Sequence, residues 1–191
     1  MQSAFTYAYC RDAWVAFGAI WLIAAIKTKP ALRAESLYSR WLVSLALVLA
    51  YLLLFTRWFR SGILGEHFLL GTGLDGYVGL ALTIAGIAFA CWARFYLGGN
   101  WSSRVTVKQN HELIRTGPYA IVRHPIYTGM LLAFLGTALA LGQIRGLVAL
   151  LLAAVALRAK SRIEEGFMQH EFPAEYPRYM RDVKAIVPFL W

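Results

Sequence analysis

The amino-acid sequence predicts an all-α integral membrane protein. About five transmembrane helices are expected, with a cytoplasmic pocket formed by the polar segment before helix 4 and the C-terminal tail. Three observations lead there. The 191 residues are 59% hydrophobic, with a mean hydropathy of +0.54, beyond the range of an ordinary soluble domain. The apolar residues come in long uncharged runs rather than in amphipathic alternation, so lipid is their natural solvent. The basic residues gather in alternate connecting segments, the pattern of a positive cytoplasmic side.

The elements follow in order. Residues 13–26 are apolar, carry Trp14 and Trp21, and make a short first span that begins near Tyr7. Residues 27–40 are a basic loop with Pro30. Residues 41–55, rich in Leu and Val, are the clearest span. Residues 57–75 are a mixed loop punctuated by Gly62, Gly65, Gly71 and Gly73, and residues 76–92 are the third span. Gly98, Gly99 and Asn100 end that helix, and residues 102–107 read as extended. Residues 126–141 and 144–157 are the fourth and fifth spans. Their link, Gly142-Gln143, is so short that the two must form an antiparallel helical hairpin. From Arg158 the chain is polar, helical to about His170, broken around Pro173 and Pro177, and closed by the apolar end 186–191. The division that results is residues 1–93, the first three spans, and residues 94–191, the half that carries the chemistry.

Charge orients the spans. The loops after spans one and three and the tail hold fifteen Lys and Arg, whereas Arg11, Arg57, Arg60 and Arg145 are the four on the other side. This puts the N-terminus outside and the C-terminus in the cytoplasm, which requires an odd number of spans and agrees with five. In a soluble protein the net charge of +9 would suggest nucleic acid; here it marks cytoplasmic loops, and no nucleic-acid partner is expected. Cys10 and Cys91 are neither paired in a CxxC nor both outside the spans, so no disulfide or redox site is expected. The N-terminus lacks a basic region before its apolar run, and no cleavable signal is expected. There is no GxGxxG after a strand, no P-loop, no HExxH and no nucleophile elbow. The four histidines are scattered, so no metal site is expected, although His111, His124 and a glutamate could be imagined around one.

Residues 111–129, HELIRTGPYAIVRHPIYTG, are the polar island of the chain. The residue before a proline is pushed from helical geometry and proline is tolerated in a first helical turn, so Pro125 starts span four with His124 at its mouth. The free N–H groups and the dipole there favour an anion. Gly129 admits close approach of a ligand or another helix, and Tyr119 offers a flat face. Any one of these residues is more simply an interfacial belt residue; the cluster as a whole, with Gly-Pro-Tyr and His-Pro together, favours function. In the tail, Lys160 and Glu164 share a helix face, as do Arg158 and Arg162. A solvated, salt-bridged helix is the simpler reading of Arg158, Arg162 and Glu171. Glu164 can accept from a ribose diol or an ammonium, and Lys160 can hold an anion. Tyr176 and Tyr179 read as packing.

The runs HELIRTGPY at 111–119 and RHPIYTG at 123–129, then Glu164-Glu165, Phe172, Glu175-Tyr176, Tyr179 and Pro188, resemble the isoprenylcysteine carboxyl methyltransferase family. That family has phospholipid and thiol methyltransferase relatives. The resemblance covers residues 97–191; the earlier spans match only in being hydrophobic. It implies a multi-span helical enzyme using S-adenosyl-L-methionine, with S-adenosyl-L-homocysteine as product, and a cytoplasmic cofactor pocket. It implies cofactor contacts from Thr106, from His111, Glu112, Leu113 and Ile114, from Tyr119, from Arg123, His124, Pro125, Ile126 and Tyr127, and from Glu164. Lys160 stands where eukaryotic members carry an arginine associated with substrate; it keeps the charge and loses the bidentate fork.

Methyl transfer from a sulfonium is an in-line displacement. The site must bring two reactants together, strip water and align them. A carboxylate acceptor is already ionised and needs no base, so Lys160 would position it; an amine or thiol would need a proton acceptor, for which Glu165 or His124 could serve. The expectation is carboxyl O-methylation of isoprenylcysteine or a similar lipophilic carboxylate entering sideways from the bilayer. Amine N-methylation of a phospholipid and thiol S-methylation are the near alternatives. An NADPH-dependent membrane reductase and a non-enzymatic membrane scaffold are the distant ones. Compact size and lack of targeting signals point to a prokaryotic inner membrane.

Overall fold

The computed structural model describes residues 2–25, 37–69, 73–98 and 113–188. Among them all helices and no sheet are found, as expected: α1 (Gln2–Ala25), α2 (Leu37–Phe55), α3 (Leu74–Leu97), α4 (Pro125–Leu141), α5 (Ile144–Glu171) and α6 (Tyr176–Asp182). Single 3-10 turns lie at Gly62–Gly65 and Gly117–Ala120.

The local signals act where the chain places them. Gly98 caps α3 with φ of 52°, and Gly142 caps α4 with φ of 65°, its N–H donating to the Ala138 carbonyl; both angles suit a residue without a Cβ. Helix α5 starts two residues later, so α4 and α5 form the expected hairpin. Pro177 differs from expectation. It opens α6 instead of breaking the chain, because in a first helical turn its missing N–H is not needed. Helix α1 also begins earlier than expected, at Gln2.

Among the described residues one helix, α3, is long and apolar enough to cross a membrane; the apolar stretches Ser39–Phe55 and Pro125–Leu141 are shorter. Helix α1 carries an exposed Arg11–Asp12 pair, and α5 turns polar in its second half.

Helices α3 and α4 share the tightest seam. Small residues recur at the same spacing on both: Gly79, Thr83, Gly86 and Ala90 face Gly129, Ala133, Gly136 and Ala140. A Cβ on Gly86 would stand 2.5 Å from the Ala133 nitrogen and the Gly129 oxygen, and one on Gly136 would stand 2.5 Å from the Gly79 oxygen. Backbones this close gain dispersion along the whole seam, the arrangement by which helices associate without a hydrophobic drive. Gly129 therefore receives a helix. Within the seam Thr83 and Thr137 oxygens lie 3.2 Å apart, and the Trp14 indole of α1 donates to Thr137 at 2.9 Å. The main core draws Trp14 and Phe17 from α1, Leu53 and Leu54 from α2, Ala90 from α3, Phe134 from α4 and Ala149 and Ala153 from α5. On the outside Val15 and Leu22 of α1, Trp41 and Leu45 of α2, Ile84 of α3 and Leu151 of α5 are exposed.

This packing positions the site. Helix α5 runs back antiparallel to α4 and continues past its start, so the second half of α5 lies beside the mouth of α4.

Candidate cofactor site

Pro125 fixes the start of α4, and His124, with φ of −121° and ψ of 60°, is the residue before the first turn. Its carbonyl accepts the first intrahelical bond, from the Thr128 N–H at 3.0 Å. The backbone here bonds to the tail: the Arg123 N–H donates to the Lys184 carbonyl at 2.8 Å and the His124 N–H to that of Ala185 at 2.9 Å. The Thr128 hydroxyl donates to the Ile186 carbonyl at 2.5 Å. Upstream, Gly117 has φ of 59°. That angle favours glycine, and a Cβ there would also lie 2.6 Å from the Tyr96 ring.

Two consecutive carboxylates of α5 meet this mouth. Glu165 Oε1 accepts from Arg123 Nη2 at 2.6 Å and Nε at 3.0 Å, and lies 3.2 Å from His124 Nε2. The other ring nitrogen, Nδ1, lies 3.3 Å from Glu164 Oε2. Glu164 Oε1 accepts from the Tyr127 hydroxyl. The His124 and Tyr127 rings stack, with centroids 5.4 Å apart and planes within 4°. With a carboxylate oxygen at each nitrogen, both must carry a proton to bond. Burial works against an imidazolium, but the hydrogen bonds and charges of Glu164 and Glu165 outweigh it and raise the His124 pKa. Burial alone would raise Glu165; hydrogen bonds from His124 and Arg123 and their charges prevail and hold it at about 2. Two cations thus balance two anions in a nearly closed cluster, with Glu164, a quarter exposed, as its open edge.

Beside that edge is an apolar wall. Tyr119, Ile126 and Tyr127 join Ala93 of α3 and Leu157 of α5, with Ile114 packed against them. Tyr119 receives at its carbonyl the Tyr179 hydroxyl, at 2.5 Å. Burial, first among the causes, raises the pKa of Tyr119, Tyr176 and Tyr179. Lys160 is half-buried one turn before Glu164 on α5. Leu113 is half-buried in the segment leading into the Gly117 turn.

A model of the family described as phospholipid methyltransferase matches residues 74–175, which span α3, α4, α5 and both carboxylates. The chain belongs to this family. Among its curated relatives, the cobalt-zinc-cadmium resistance protein CzcN of Cupriavidus metallidurans is 33% identical over 153 residues, covering 78% of this chain and 62% of that protein. The probable protein-S-isoprenylcysteine O-methyltransferase of Oryza sativa subsp. indica is 33% identical over 118 residues, covering 60% and 61%. The protein-S-isoprenylcysteine O-methyltransferase of Saccharomyces cerevisiae is 32% identical over 124 residues, covering 63% and 52%. The chain thus spans between about two-fifths and three-fifths of the length of the curated relatives it matches. These matches bear out the family resemblance read from the RHPIYTG and Glu-Glu runs.

For this phospholipid methyltransferase family member, the structure brings together Arg123, His124, Pro125, Ile126, Tyr127, Glu164 and Glu165 and sets Ile114 and Tyr119 against the same wall. Lys160 is adjacent along α5. Thr106, His111 and Glu112 lie outside the described residues. Sequence reasoning missed Thr128, the Tyr179–Tyr119 tie and the carbonyls of the tail. Thr128 could have been found, since it stands four residues after His124 in the first turn. Backbone carbonyls of the tail carry no sequence signal.

Proposed function

We propose that the protein is an S-adenosylmethionine-dependent membrane methyltransferase whose acceptor is a lipophilic carboxylate of the isoprenylcysteine type. The observation that carries this reading is Glu164. Its carboxylate is held by Tyr127 and His124 at the open edge of a charge-balanced cluster, against the apolar wall of Ile114, Tyr119, Ile126 and Leu157. A nucleoside bearing a diol and positive charge fits such a site, with the carboxylate accepting from the diol or the ammonium and the wall covering the flat base. When bound, the cofactor supplies an electrophilic methyl group on a sulfonium. Glu164 would hold and orient it, Tyr119 and Ile126 would exclude water, and the first turn of α4 would favour its carboxylate.

The protonation of the cluster favours a carboxylate acceptor over an amine or thiol. Both His124 nitrogens face carboxylates, and Glu165 is held at a pKa of about 2. Neither group is poised to take a proton in this arrangement, which supports an acceptor ionised at neutral pH. The geometry of Glu165 thus supports orientation more than proton abstraction. Lys160 would hold the acceptor carboxylate electrostatically. The family description favours phospholipid amine methylation as the second reading.

Exposed apolar side chains on α1, α2, α3 and α5 support a multi-pass arrangement of about five spans, and the fifteen-to-four charge bias supports a cytoplasmic site, as in a prokaryotic inner membrane. A prenyl or acyl chain would then approach the site from the bilayer side. Among the described residues no group of three or more His, Cys, Asp or Glu could hold a metal ion, and none is invoked.

The test is transfer of a labelled methyl group by protein in lipid nanodiscs, offered prenylcysteine carboxylates, phosphatidylethanolamine and small thiols separately. Label in a base-labile ester of the prenylcysteine is expected. Label on the amine or the thiol alone would overturn the acceptor assignment.

A further inference from the structure

We infer that Arg123 is a positioning residue: it locks the C-terminal segment 180–186 onto the start of α4 and, through Glu165 and His124, sets where the Glu164 carboxylate stands. The inference rests on the cofactor role proposed for Glu164.

A guanidinium has five N–H donors in a fixed fork. In Arg123, Nε and Nη2 both donate to Glu165 Oε1, at 3.0 and 2.6 Å. Nη1 donates to the Met180 carbonyl at 3.2 Å and to that of Val183. Four donors are thus directed within the protein, and the side chain is 8% exposed. A cofactor carboxylate would find the fork occupied. The two carbonyls belong to the C-terminal end of α6 and its cap, where a cation is favoured by the helix dipole. The backbone completes the lock: the amides of Arg123 and His124 reach the Lys184 and Ala185 carbonyls, and the Thr128 hydroxyl reaches that of Ile186.

The effect passes inward through shared atoms. Glu165 Oε1, fixed by the fork, takes His124 Nε2 at 3.2 Å. The ring, so oriented, presents Nδ1 to Glu164 Oε2 at 3.3 Å, and Tyr127 holds the other oxygen of Glu164. Arginine is needed because the acceptors lie in different directions: one carboxylate oxygen on α5 and two carbonyls at the end of α6. A lysine ammonium could satisfy the charge without spanning them.

The experiment uses the full chain in nanodiscs and compares Arg123→Lys, Arg123→Gln, Glu165→Gln and the double variant Arg123→Gln/Glu165→Gln. Binding of S-adenosylhomocysteine is read by calorimetry. Trypsin cleavage after Arg181 and Lys184 is read without ligand, and Tm is recorded alongside. The lock predicts that each glutamine variant binds about tenfold more weakly, with the double variant no worse than the weaker single, since either change breaks the same connection. Arg123→Lys should recover part of the binding while cleavage at Arg181 and Lys184 stays fast. Additive losses in the double variant, with cleavage at the parental rate, would mean that Arg123 meets the cofactor itself and would overturn the inference. Should the parent protein bind no S-adenosylhomocysteine, the cofactor reading fails separately. Cleavage then still decides the lock: faster in Arg123→Gln supports it, unchanged overturns it.

Discussion

Arg123 and Glu165, 42 residues apart in sequence, meet at 2.6 Å with both side chains buried. Each also serves a second partner, Arg123 at the carbonyls of the tail and Glu165 at the His124 ring. The pair therefore joins three parts of the chain: the start of α4, the second half of α5 and the C-terminal end of α6.

Removing one charge from it should be expensive. Glu165→Gln leaves a buried guanidinium and a buried imidazole facing a neutral amide, and breaking a buried pair on one side costs about 3–5 kcal/mol. Thermal unfolding in detergent should show a large fall in Tm. Glu175→Gln serves as the comparison, because the Arg115–Glu175 pair is exposed and 3.8 Å apart and is worth at most about 1 kcal/mol.

Stability should depend on pH from both sides. The His124 pKa is raised above its ordinary value of 6.5, so its contribution is complete below that value and is lost as pH rises through the raised one. Glu165 is lowered from 4.5 to about 2, so its contribution is complete above 4.5 and is lost as pH falls toward 2. Tm recorded across this range should be highest between about pH 4.5 and 6.5. His124→Gln should remove much of the decline on the alkaline side; an unchanged alkaline limb would count against a charged His124.

Much of this was legible in the sequence, for physical reasons. Pro125 and Gly142 act through their own backbone limits, so the ends of α4 and the hairpin to α5 could be read locally. Pro177 misled because a proline marks a helix start as readily as a break, and only its neighbours decide. RHPIYTG and Glu164-Glu165 were found as motifs, yet which carboxylate faces which ring nitrogen depends on the packing of α4 against α5. The tail carbonyls that hold Arg123 are side-chain-independent and leave no trace in composition. Of the glycine seam only Gly129 was singled out in the sequence, and by itself it could equally have faced a ligand or another helix.

That seam gives a sharp contrast. Gly86→Ala places a Cβ 2.5 Å from backbone atoms of α4, so the helices must separate, at a cost of about 1–3 kcal/mol. Gly18→Ala has nothing within 4 Å and improves helix propensity by up to about 1 kcal/mol. Tm should fall for the first and hold or rise for the second. Equal effects would contradict the close approach of α3 and α4.

The central claim, that the mouth of α4 and the carboxylates of α5 form a site for S-adenosylmethionine, is tested most directly by calorimetry of the purified full chain. S-adenosylhomocysteine and NADPH are titrated separately into the parent protein and into Glu164→Gln. The account predicts binding of S-adenosylhomocysteine and not of NADPH, and roughly tenfold or greater weakening in Glu164→Gln, since a hydrogen bond to a charged group is worth about 1.5–3 kcal/mol. Binding of NADPH alone, or S-adenosylhomocysteine binding that Glu164→Gln leaves unchanged, would contradict it.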